Sequence, residues 1–295
     1  MSADFDEFSL LGEEAEAFGI TVVSPPVVSR TSVTVADGTT LSALVWGTGR
    51  PQLMLLHGGG LNAHTWDSTL LELGVPAVAI DLPGHGDSDW RDDADYSPTT
   101  NAVAVTEVFD ALAIGPQVLV GQSLGGLTAI AVAASRPDRV SGLVIIDVSP
   151  GLVTTGGNPV RAFLAGADSF ESRDAIVDRA LSFGIGPNRR AVERGVLLNT
   201  HDRDDGRVIF KHHLAQLSDE SRTFDTDFSV LWPTLESVTA PIVLVRGQRG
   251  FLSDDVVAEF VARVPSARIV TVDSGHNVQE DIPVELAALL RTTLP

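Results

Sequence analysis

The chain has 295 residues, of which 44% are hydrophobic and 20% are charged, and this composition excludes intrinsic disorder for most of its length. It has no cysteine, so disulfide scaffolds, thiolate zinc sites and cysteine nucleophiles are excluded. The formal charge of −19 repels phosphate backbones, and we expect no nucleic-acid partner.

The first residues and the apolar runs bear on where the protein resides. Residues 1–8 are acidic, whereas a secretory signal peptide begins with basic residues and continues into an apolar stretch. No apolar run approaches the ~18 residues that a membrane-spanning helix needs. We therefore expect a cytoplasmic protein without a membrane span.

Residues 1–30 carry apolar side chains at helix-like spacing among acidic residues, which predicts an N-terminal helical arm with one face on the main body. The apolar positions are Phe5, Phe8, Leu11, Ala15 and Phe18. From Thr31 the pattern alternates, and a tight turn at Asp37-Gly38 separates residues 32–36 from 41–46. This segment is predicted to form an antiparallel hairpin.

Short continuous apolar runs follow, as expected for strands whose two faces are covered by helices. Helix-length segments separate several of them, notably Ser97–Leu112 and Leu124–Ser135, and this alternation predicts a parallel sheet with right-handed crossovers. Together with the hairpin, it predicts an α/β fold with an eight-stranded, mostly parallel sheet flanked by helices. The apolar runs are 53–56, 77–80, 118–120, 143–146, 242–245 and 269–272.

One interval between strands is far longer than a crossover helix requires, because about 95 residues separate Ile146 from Ile242. Helix-like pieces at Ser172–Ser182 and Arg189–Leu198 lie within it. We predict a helical cap at residues 151–235, inserted after the sixth strand and covering the carboxyl edge of the sheet, where open α/β folds bind ligands. The core then comprises residues 31–150 and 236–295.

The strongest chemical signal is Gly121-Gln-Ser-Leu-Gly125, a G-x-S-x-G pattern between a predicted strand and a predicted helix. In that context the pattern predicts a nucleophile elbow, a sharp turn that projects the Ser123 hydroxyl above the sheet. Only small residues fit two positions before and two positions after the serine. The N–H of Leu124, at the start of the helix, points to the same space and is predicted to donate to an oxyanion.

A second glycine-rich stretch, His57-Gly-Gly-Gly60, follows the third strand. It is predicted to supply the other oxyanion donor, the N–H of Gly59, because glycine lets the backbone approach a substrate carbonyl closely. His57 itself is expected to bond within the loop. Asn62 and His64 come directly after this stretch and are candidate pocket residues.

A serine nucleophile needs a neighbouring base near neutral pH, and the chain has seven histidines. Only His276 is both C-terminal to Ser123 and at the carboxyl end of a predicted strand, 269–272. It is therefore predicted to be the base, in the chain order serine, acid, histidine. Histidines 201, 212 and 213 lie near acidic residues but match no recognised ligand pattern, so no metal site is predicted.

These motifs resemble the α/β-hydrolase superfamily, and the resemblance covers almost the whole chain. Besides the elbow and the HGGG stretch, the sequence has Asp81-Leu-Pro-Gly-His-Gly-Asp-Ser88, typical of the loop after the superfamily's fourth strand. At a finer level, the sequence is similar to a bacterial cytosolic group of serine ester hydrolases (carboxylesterases). The motifs that carry this similarity are DEF-S-LL near the start, HGGG-x-N-AHTWD at 57–67 and SLGGLTAI from Ser123. The resemblance implies an α/β-hydrolase fold and a Ser-Asp-His triad.

The resemblance leaves the acid of the triad to be located. In most members it follows the seventh strand in a G-x-x-D motif, but here that position is Gly250. The superfamily's other acid site follows the sixth strand, where this chain has Asp147. We predict that Asp147 orients His276, with Asp254 and Asp255 as the rival candidates.

The predicted activity is hydrolysis of carboxylic esters with small to medium acyl chains, through an acyl-enzyme and without a cofactor or metal ion. A small-molecule ester is the expected partner, and the oligomeric state is left open. Phe251 and Leu252, beside the vacated acid position, are candidate walls of an apolar pocket.

Several other functions use the same residues. A lactonase, a thioesterase or a C–C bond hydrolase with this triad is an alternative. A weakly catalytic, ligand-binding member of the fold is another, suggested by the glycine at position 250. Dehalogenase and epoxide hydrolase activities are disfavoured, because those relatives carry aspartate where Ser123 stands.

Overall fold

The computed structural model describes residues 5–24, 26–112, 115–152, 168–186, 188–217 and 227–294. Its strands are β1 (Val28–Thr34), β2 (Thr40–Trp46), β3 (Leu53–Leu56), β4 (Ala77–Ile80), β5 (Gln117–Gln122), β6 (Val140–Ile146), β7 (Thr200–Asp202), β8 (Val208–Phe210), β9 (Ile242–Gly247) and β10 (Arg268–Val272). Eight of them form one sheet in the order β1-β2-β4-β3-β5-β6-β9-β10. Only the β1–β2 and β2–β4 pairs within it are antiparallel. The predicted eight-stranded, mostly parallel sheet is confirmed.

Helices cover both faces of this sheet. They are α1 (Leu11–Ala17), α2 (Asp67–Leu73), α3 (Pro98–Leu112), α4 (Leu124–Ser135), α5 (Arg173–Ser182), α6 (Arg189–Leu198), α7 (Trp232–Glu236), α8 (Asp254–Arg263), α9 (Val278–Asp281) and α10 (Pro283–Arg291). Short 3₁₀ turns lie at Glu7–Leu10, Ala63–Trp66, His213–Ala215 and Ser229–Leu231. The helices predicted around 97–112 and 124–135 are present with nearly the same bounds.

The alternation of side chains along each central strand divides the core into two layers. In β3, Met54 and Leu56 join the layer that includes Phe109 of α3, Ile130 of α4 and Phe260 of α8. Leu53 and Leu55, on the opposite face, pack with side chains of α1, α2 and α10. Every residue of β3, β4 and β5 is buried, which explains their unbroken apolar runs.

The segment between β6 and β9 builds a small layer of its own. Helices α5 and α6 bury Ile176, Val177 and Val196 against Phe210 of β8. The predicted pieces 172–182 and 189–198 are helical, but the segment also contains a β7–β8 hairpin that the helical prediction lacked. Residues 153–167 and 218–226 of the predicted cap lie outside the described residues.

The N-terminal segment folds as a 3₁₀ turn followed by α1. Leu11 and Ala15 are buried, and Leu11 packs in the layer that contains Leu70 and Leu73 of α2. An amphipathic helix on the main body was predicted here, although the helix is shorter than the apolar spacing suggested. The division into an arm at 1–30, a core and a cap stays a prediction.

None of the helices that the structure describes has both the length and the apolar character needed to cross a bilayer.

Candidate active site

Ser123 lies in a sharp turn between β5, which ends at Gln122, and α4, which begins at Leu124. Its backbone has φ 53° and ψ −121°, a conformation that non-glycine residues rarely adopt. The Ser123 N–H donates to the Ile146 carbonyl at the end of the neighbouring strand β6, at 3.1 Å. The turn is therefore a strained strand-to-helix elbow, held by the strand that leads to Asp147.

Glycine is required at positions 121 and 125, because a side chain would not fit there. A Cβ on Gly121 would lie 2.3 Å from the Gly125 carbonyl oxygen, and a Cβ on Gly125 would lie 2.3 Å from the Leu56 carbonyl oxygen. Both distances are far below van der Waals contact. Each obstacle is a backbone atom. A side chain at position 121 would therefore push the two sides of the elbow apart, and a side chain at position 125 would push the elbow away from β3.

Asp147 follows β6 directly and is fully buried, with φ 49°. Its carboxylate accepts hydrogen bonds from Gly247 N at 3.1 Å, from Phe251 N at 2.7 Å and from His276 Nδ1 at 2.8 Å. Hydrogen bonds to the charged form stabilise a buried carboxylate. Because Asp147 accepts from Nδ1–H, the lone pair of the neutral imidazole is on Nε2, the atom that a general base uses.

The acid position left vacant in the sequence lies beside this carboxylate. A Cβ on Gly250 would lie 2.1 Å from Asp147 Oδ2, so Asp147 fills the space in front of Gly250. The two rival acids point elsewhere. Asp254 has a 92% exposed side chain paired with Arg246, and Asp255 is exposed in the first turn of α8.

His276 is held on three sides. Its ring stacks on Phe251, with centroids 3.7 Å apart and planes inclined by 16°. Its backbone carbonyl accepts from Gln122 Nε2 at 3.2 Å, and the same amide nitrogen lies 3.3 Å from Asn277 Oδ1. The loop that carries His276 is therefore held by the residue that immediately precedes Ser123. The His276 side chain keeps 17% of its surface exposed.

The loop at Gly58–Gly60 is oriented by His57. Leu82 N donates to His57 Nε2 at 2.9 Å, so the ring proton is on Nδ1, which donates to the Gly58 carbonyl at 2.8 Å. Burial lowers the pKa of His57 to about 4, so the ring is neutral near pH 7. The carbonyl of Gly58 and the N–H of Gly59 belong to one trans peptide and point in opposite directions, so His57 fixes the direction of that N–H.

The two candidate oxyanion donors share a further property. Neither Gly59 N nor Leu124 N donates a hydrogen bond to any residue that the structure describes. A Cβ on Gly59 would lie 3.9 Å from Leu124 Cδ2, so the two residues are neighbours across the site. Backbone N–H groups without an internal acceptor are available to receive a developing negative oxygen.

The four candidate pocket residues have different surroundings. Phe251 lies against the His276 ring, whereas Leu252 is 3% exposed and belongs to the core. Asn62 is buried and donates to the Leu198 carbonyl at the end of α6, at 3.2 Å. His64 lies in a charged cluster described next, and a pocket role for any of the four stays a prediction.

The charged cluster joins the N-terminal segment to the core. His64 Nδ1 lies 2.8 Å from Asp67 Oδ2 and its Nε2 lies 3.1 Å from Glu7 Oε2. Arg30 binds Glu7 with two nitrogens and also reaches Asp81 at 2.7 Å. Burial by itself would lower the pKa of His64, but the carboxylates outweigh it and raise the pKa to about 9.

Sequence reasoning missed two polar residues that touch the candidate site. Gln122 lies inside the G-x-S-x-G pattern, and its position beside the serine was a signal that could have been used. Asn199, whose Nδ2 donates to the Gly60 carbonyl at 2.7 Å, is about 140 residues from its partner and no motif marks it.

The sheet order, the helices on both faces and the serine elbow define an α/β hydrolase. Residues 53–289 match the alpha/beta hydrolase family, and the chain belongs to that family. It is 40% identical to the esterase Rv0045c of Mycobacterium tuberculosis over 98% of this chain and 96% of that protein.

Two further similarities extend this result. A crystal structure of the esterase Rv0045c has a TM-score of 0.82 at 39% identity, with 99% of both chains covered. The 2-(acetamidomethylene)succinate hydrolase of Mesorhizobium japonicum is 27% identical over 84% of this chain and 94% of its own length. The predicted superfamily and fold are confirmed, and the first relative agrees with the predicted class of ester hydrolase.

Proposed function

We propose that the protein hydrolyses carboxylic esters through an acyl-enzyme, with Ser123 as nucleophile, His276 as general base and acid, and Asp147 as the partner of the histidine. The observation that carries the proposal is the 2.8 Å hydrogen bond from His276 Nδ1 to the buried Asp147 carboxylate. It leaves Nε2 of the imidazole as the base and stabilises the imidazolium that forms during the reaction. The similarity to the esterase Rv0045c supports the choice of an ester as substrate.

In the first half of the reaction, Ser123 Oγ attacks the ester carbonyl while its proton moves to His276 Nε2. The negative oxygen of the tetrahedral intermediate accepts hydrogen bonds from Gly59 N–H and Leu124 N–H. The C–O bond to the alcohol then breaks, and the proton on Nε2 moves to the departing oxygen. This leaves the acyl group on Ser123 and a neutral His276.

In the second half, water attacks the acyl-enzyme carbonyl and gives its proton to His276 Nε2. The same two N–H groups stabilise the second tetrahedral intermediate. Its collapse releases the carboxylic acid and returns the proton to Ser123 Oγ. The chain's own residues supply every catalytic group and water is the second reactant, so we propose no cofactor or metal ion.

The proposed substrates are small-molecule esters with small to medium acyl chains. The support comes from the segment between β6 and β9, whose helix α6 contacts the Gly58–Asn62 loop through Asn62 and Asn199. We infer that a segment docked on that loop limits the length of the acyl chain that the site accepts beside the serine. We propose the same three-part division, arm 1–30, core, and cap 151–235, with the cap over the site.

The test is labelling by a fluorophosphonate probe, combined with hydrolysis of p-nitrophenyl esters from acetate to dodecanoate. Wild-type protein is expected to be labelled on Ser123 and to favour the shorter esters, and Ser123→Ala is expected to lose both activities without unfolding. Ser135→Ala, at the other end of the same helix α4, is the matched control and should behave as wild type.

Other outcomes of the same test would select the rival functions. Preference for lactones or acyl thioesters in a parallel panel would change the substrate class and keep the triad. A folded wild-type protein that resists the probe would contradict the hydrolase proposal and favour a ligand-binding role.

A further inference from the structure

The end of helix α6 meets the loop that carries the candidate oxyanion donor Gly59. Asn199, the residue after α6, donates from Nδ2 to the Gly60 carbonyl at 2.7 Å. In return, Asn62 Nδ2 reaches the Leu198 carbonyl at 3.2 Å and Asn199 Oδ1 at 3.3 Å. The inserted segment and the core therefore exchange hydrogen bonds through two asparagine side chains.

This exchange satisfies groups that would otherwise be costly to bury. The last carbonyls of a helix have no partner within the helix, and that of Leu198 is satisfied by the buried Asn62 side chain. On the other side, the Oδ1 atom of Asn62 accepts from His64 N at 3.0 Å and so begins the following 3₁₀ turn. Asn62 is thereby fixed from both directions.

Asn199 is fixed within its own segment as well. Its backbone N–H donates to the Gly195 carbonyl at 3.0 Å, and its backbone carbonyl accepts from Lys211 N at 2.9 Å. The Asn199 side-chain amide that binds the Gly60 carbonyl is therefore attached to a backbone that is fixed by α6 and by Lys211, the residue that follows β8.

The loop between His57 and Asn62 is consequently held at two points. His57, from the core, binds the carbonyl of Gly58, whereas Asn199, from the inserted segment, binds the carbonyl of Gly60. The N–H of Gly59 lies between these two carbonyls along the backbone. Fixing both neighbours restricts rotation of the peptide that carries this N–H, and misplacement of such a donor lowers the rate of reaction.

We propose that Asn199 is a positioning residue for the oxyanion hole, so that docking of α6 on the core organises the catalytic loop. The inference rests on the proposed function, because it concerns the donor Gly59. Asn199 acts through the loop and touches no reacting atom.

Loss of the Asn199 amide leaves α6 attached at another place. Arg194, one turn earlier on the helix, pairs with the buried carboxylate of Asp67 and lies 3.2 Å from Glu14. Replacing Asn199 thus frees the Gly60 carbonyl while the helix keeps its charged anchor. The variant tests the loop contact rather than the presence of the inserted segment.

The experiment compares Asn199→Ala with Asn188→Ala, a matched control at the opposite end of the same helix. Asn188 accepts from Ala191 N at 3.0 Å and caps α6 without touching the core loop. For a p-nitrophenyl ester, Asn199→Ala is expected to lower kcat roughly tenfold with KM within about twofold, a part of the loss seen when an oxyanion donor is removed. Asn188→Ala should lower the unfolding temperature and leave kcat unchanged.

A second readout separates the oxyanion from general structure. A trifluoromethyl ketone forms a tetrahedral adduct whose oxygen needs the same donors, so its inhibition constant should rise about as much as kcat falls in Asn199→Ala. Asn199→Asp keeps the shape but places a carboxylate oxygen against the Gly60 carbonyl, so its losses should be at least as large as those of the alanine variant. Wild-type kcat and inhibition constant in either variant, or an equal kcat loss in Asn188→Ala, would overturn the inference.

The proposed function is tested apart from this result by fluorophosphonate labelling of Ser123 in the wild-type protein. Labelling with unchanged kinetics in Asn199→Ala contradicts only the role of Asn199. Absence of labelling in the wild type contradicts the triad itself.

Discussion

The carboxylate of Asp147 occupies the space that a side chain at Gly250 would need, since a Cβ there would lie 2.1 Å from Oδ2 and 2.4 Å from Cγ. The two positions follow neighbouring parallel strands, β6 and β9, whose register pairs Ile146 with Val245. An acid after β6 and a side chain at position 250 are therefore mutually exclusive in this geometry. The glycine leaves room for the Asp147 carboxylate.

This relationship predicts that Gly250→Ala damages activity. The new methyl group must displace a buried carboxylate that is fixed by three donors, so we expect kcat to fall about 10- to 100-fold and stability by about 1–3 kcal/mol. Steady-state kinetics and urea unfolding are the measurements. Gly195→Ala, in α6 with open space around its Cα, is the control and should keep wild-type kcat.

A double-mutant cycle sharpens this test. If the methyl group acts through Asp147, then Gly250→Ala should add little to the loss already caused by Asp147→Ala. Independent, additive losses would mean that Gly250 matters for another reason.

The second prediction separates the three candidate acids. Asp147→Asn removes the acceptor that orients His276 and is expected to lower kcat by about 10³- to 10⁴-fold, with little change in fold. Asp254→Asn should stay within about twofold of wild type, because that side chain is 92% exposed and pairs with Arg246. Measuring kcat for both variants and for Asp255→Asn decides the assignment; a severe loss in Asp254→Asn would move the acid to α8.

Local sequence patterns were sufficient to predict most of the fold. Strands β3 and β4 were predicted with the bounds that the structure has, because buried parallel strands are short, unbroken apolar runs between turn signals. Helix α6 also has its predicted bounds, Arg189–Leu198. The elbow was predictable because its glycine spacing follows from a steric requirement within five residues.

Contacts between distant segments were not predictable in the same way. The Gly250–Asp147 contact depends on strand register, and the Asn199–Gly60 hydrogen bond depends on where an inserted helix ends. The β7–β8 hairpin has only three residues in each strand, too few for a periodic signal. The ion pairs of His64 join residues separated by up to 57 positions.

The third prediction concerns alkaline pH and the charged cluster at the N-terminal segment. The pKa of His64 is about 9 in the folded protein and about 6.5 when unfolded, so its contribution to stability is complete below pH 6.5 and is lost as the pH rises through 9. The loss approaches ~3 kcal/mol, because one pKa unit corresponds to about 1.4 kcal/mol.

Urea unfolding at pH 6.5 and pH 9.5 tests this expectation. Wild-type protein should lose more unfolding free energy over the interval than His64→Gln, which cannot carry the charge. His201→Gln is the comparison variant, since the pKa of that half-buried histidine is lowered by burial and does not fall in the interval. Equal losses in wild type and His64→Gln would mean that His64 does not cause the loss of stability at alkaline pH.

The fourth prediction concerns acid pH and His85, whose side chain is fully buried. Burial, assisted by the nearby His57, lowers the pKa of His85 to about 3. The unfolded chain takes up a proton at this residue below pH 6.5 and the folded protein does not, so stability falls as the pH drops from 6.5 toward 3. Over the two units from pH 6.5 to 4.5 this amounts to about 2–3 kcal/mol.

His85→Asn is the informative substitution, because its amide nitrogen can replace Nδ1 as partner of the Pro83 carbonyl, 3.0 Å away, without titrating. The variant is expected to be less stable at pH 6.5, since packing is lost, but its stability should fall less steeply toward pH 4.5. His64→Gln should keep the wild-type slope there, because below pH 6.5 that residue is charged in both states. If His85→Asn leaves the decrease in stability toward pH 4.5 unchanged, then other groups, His57 first among them, cause that decrease.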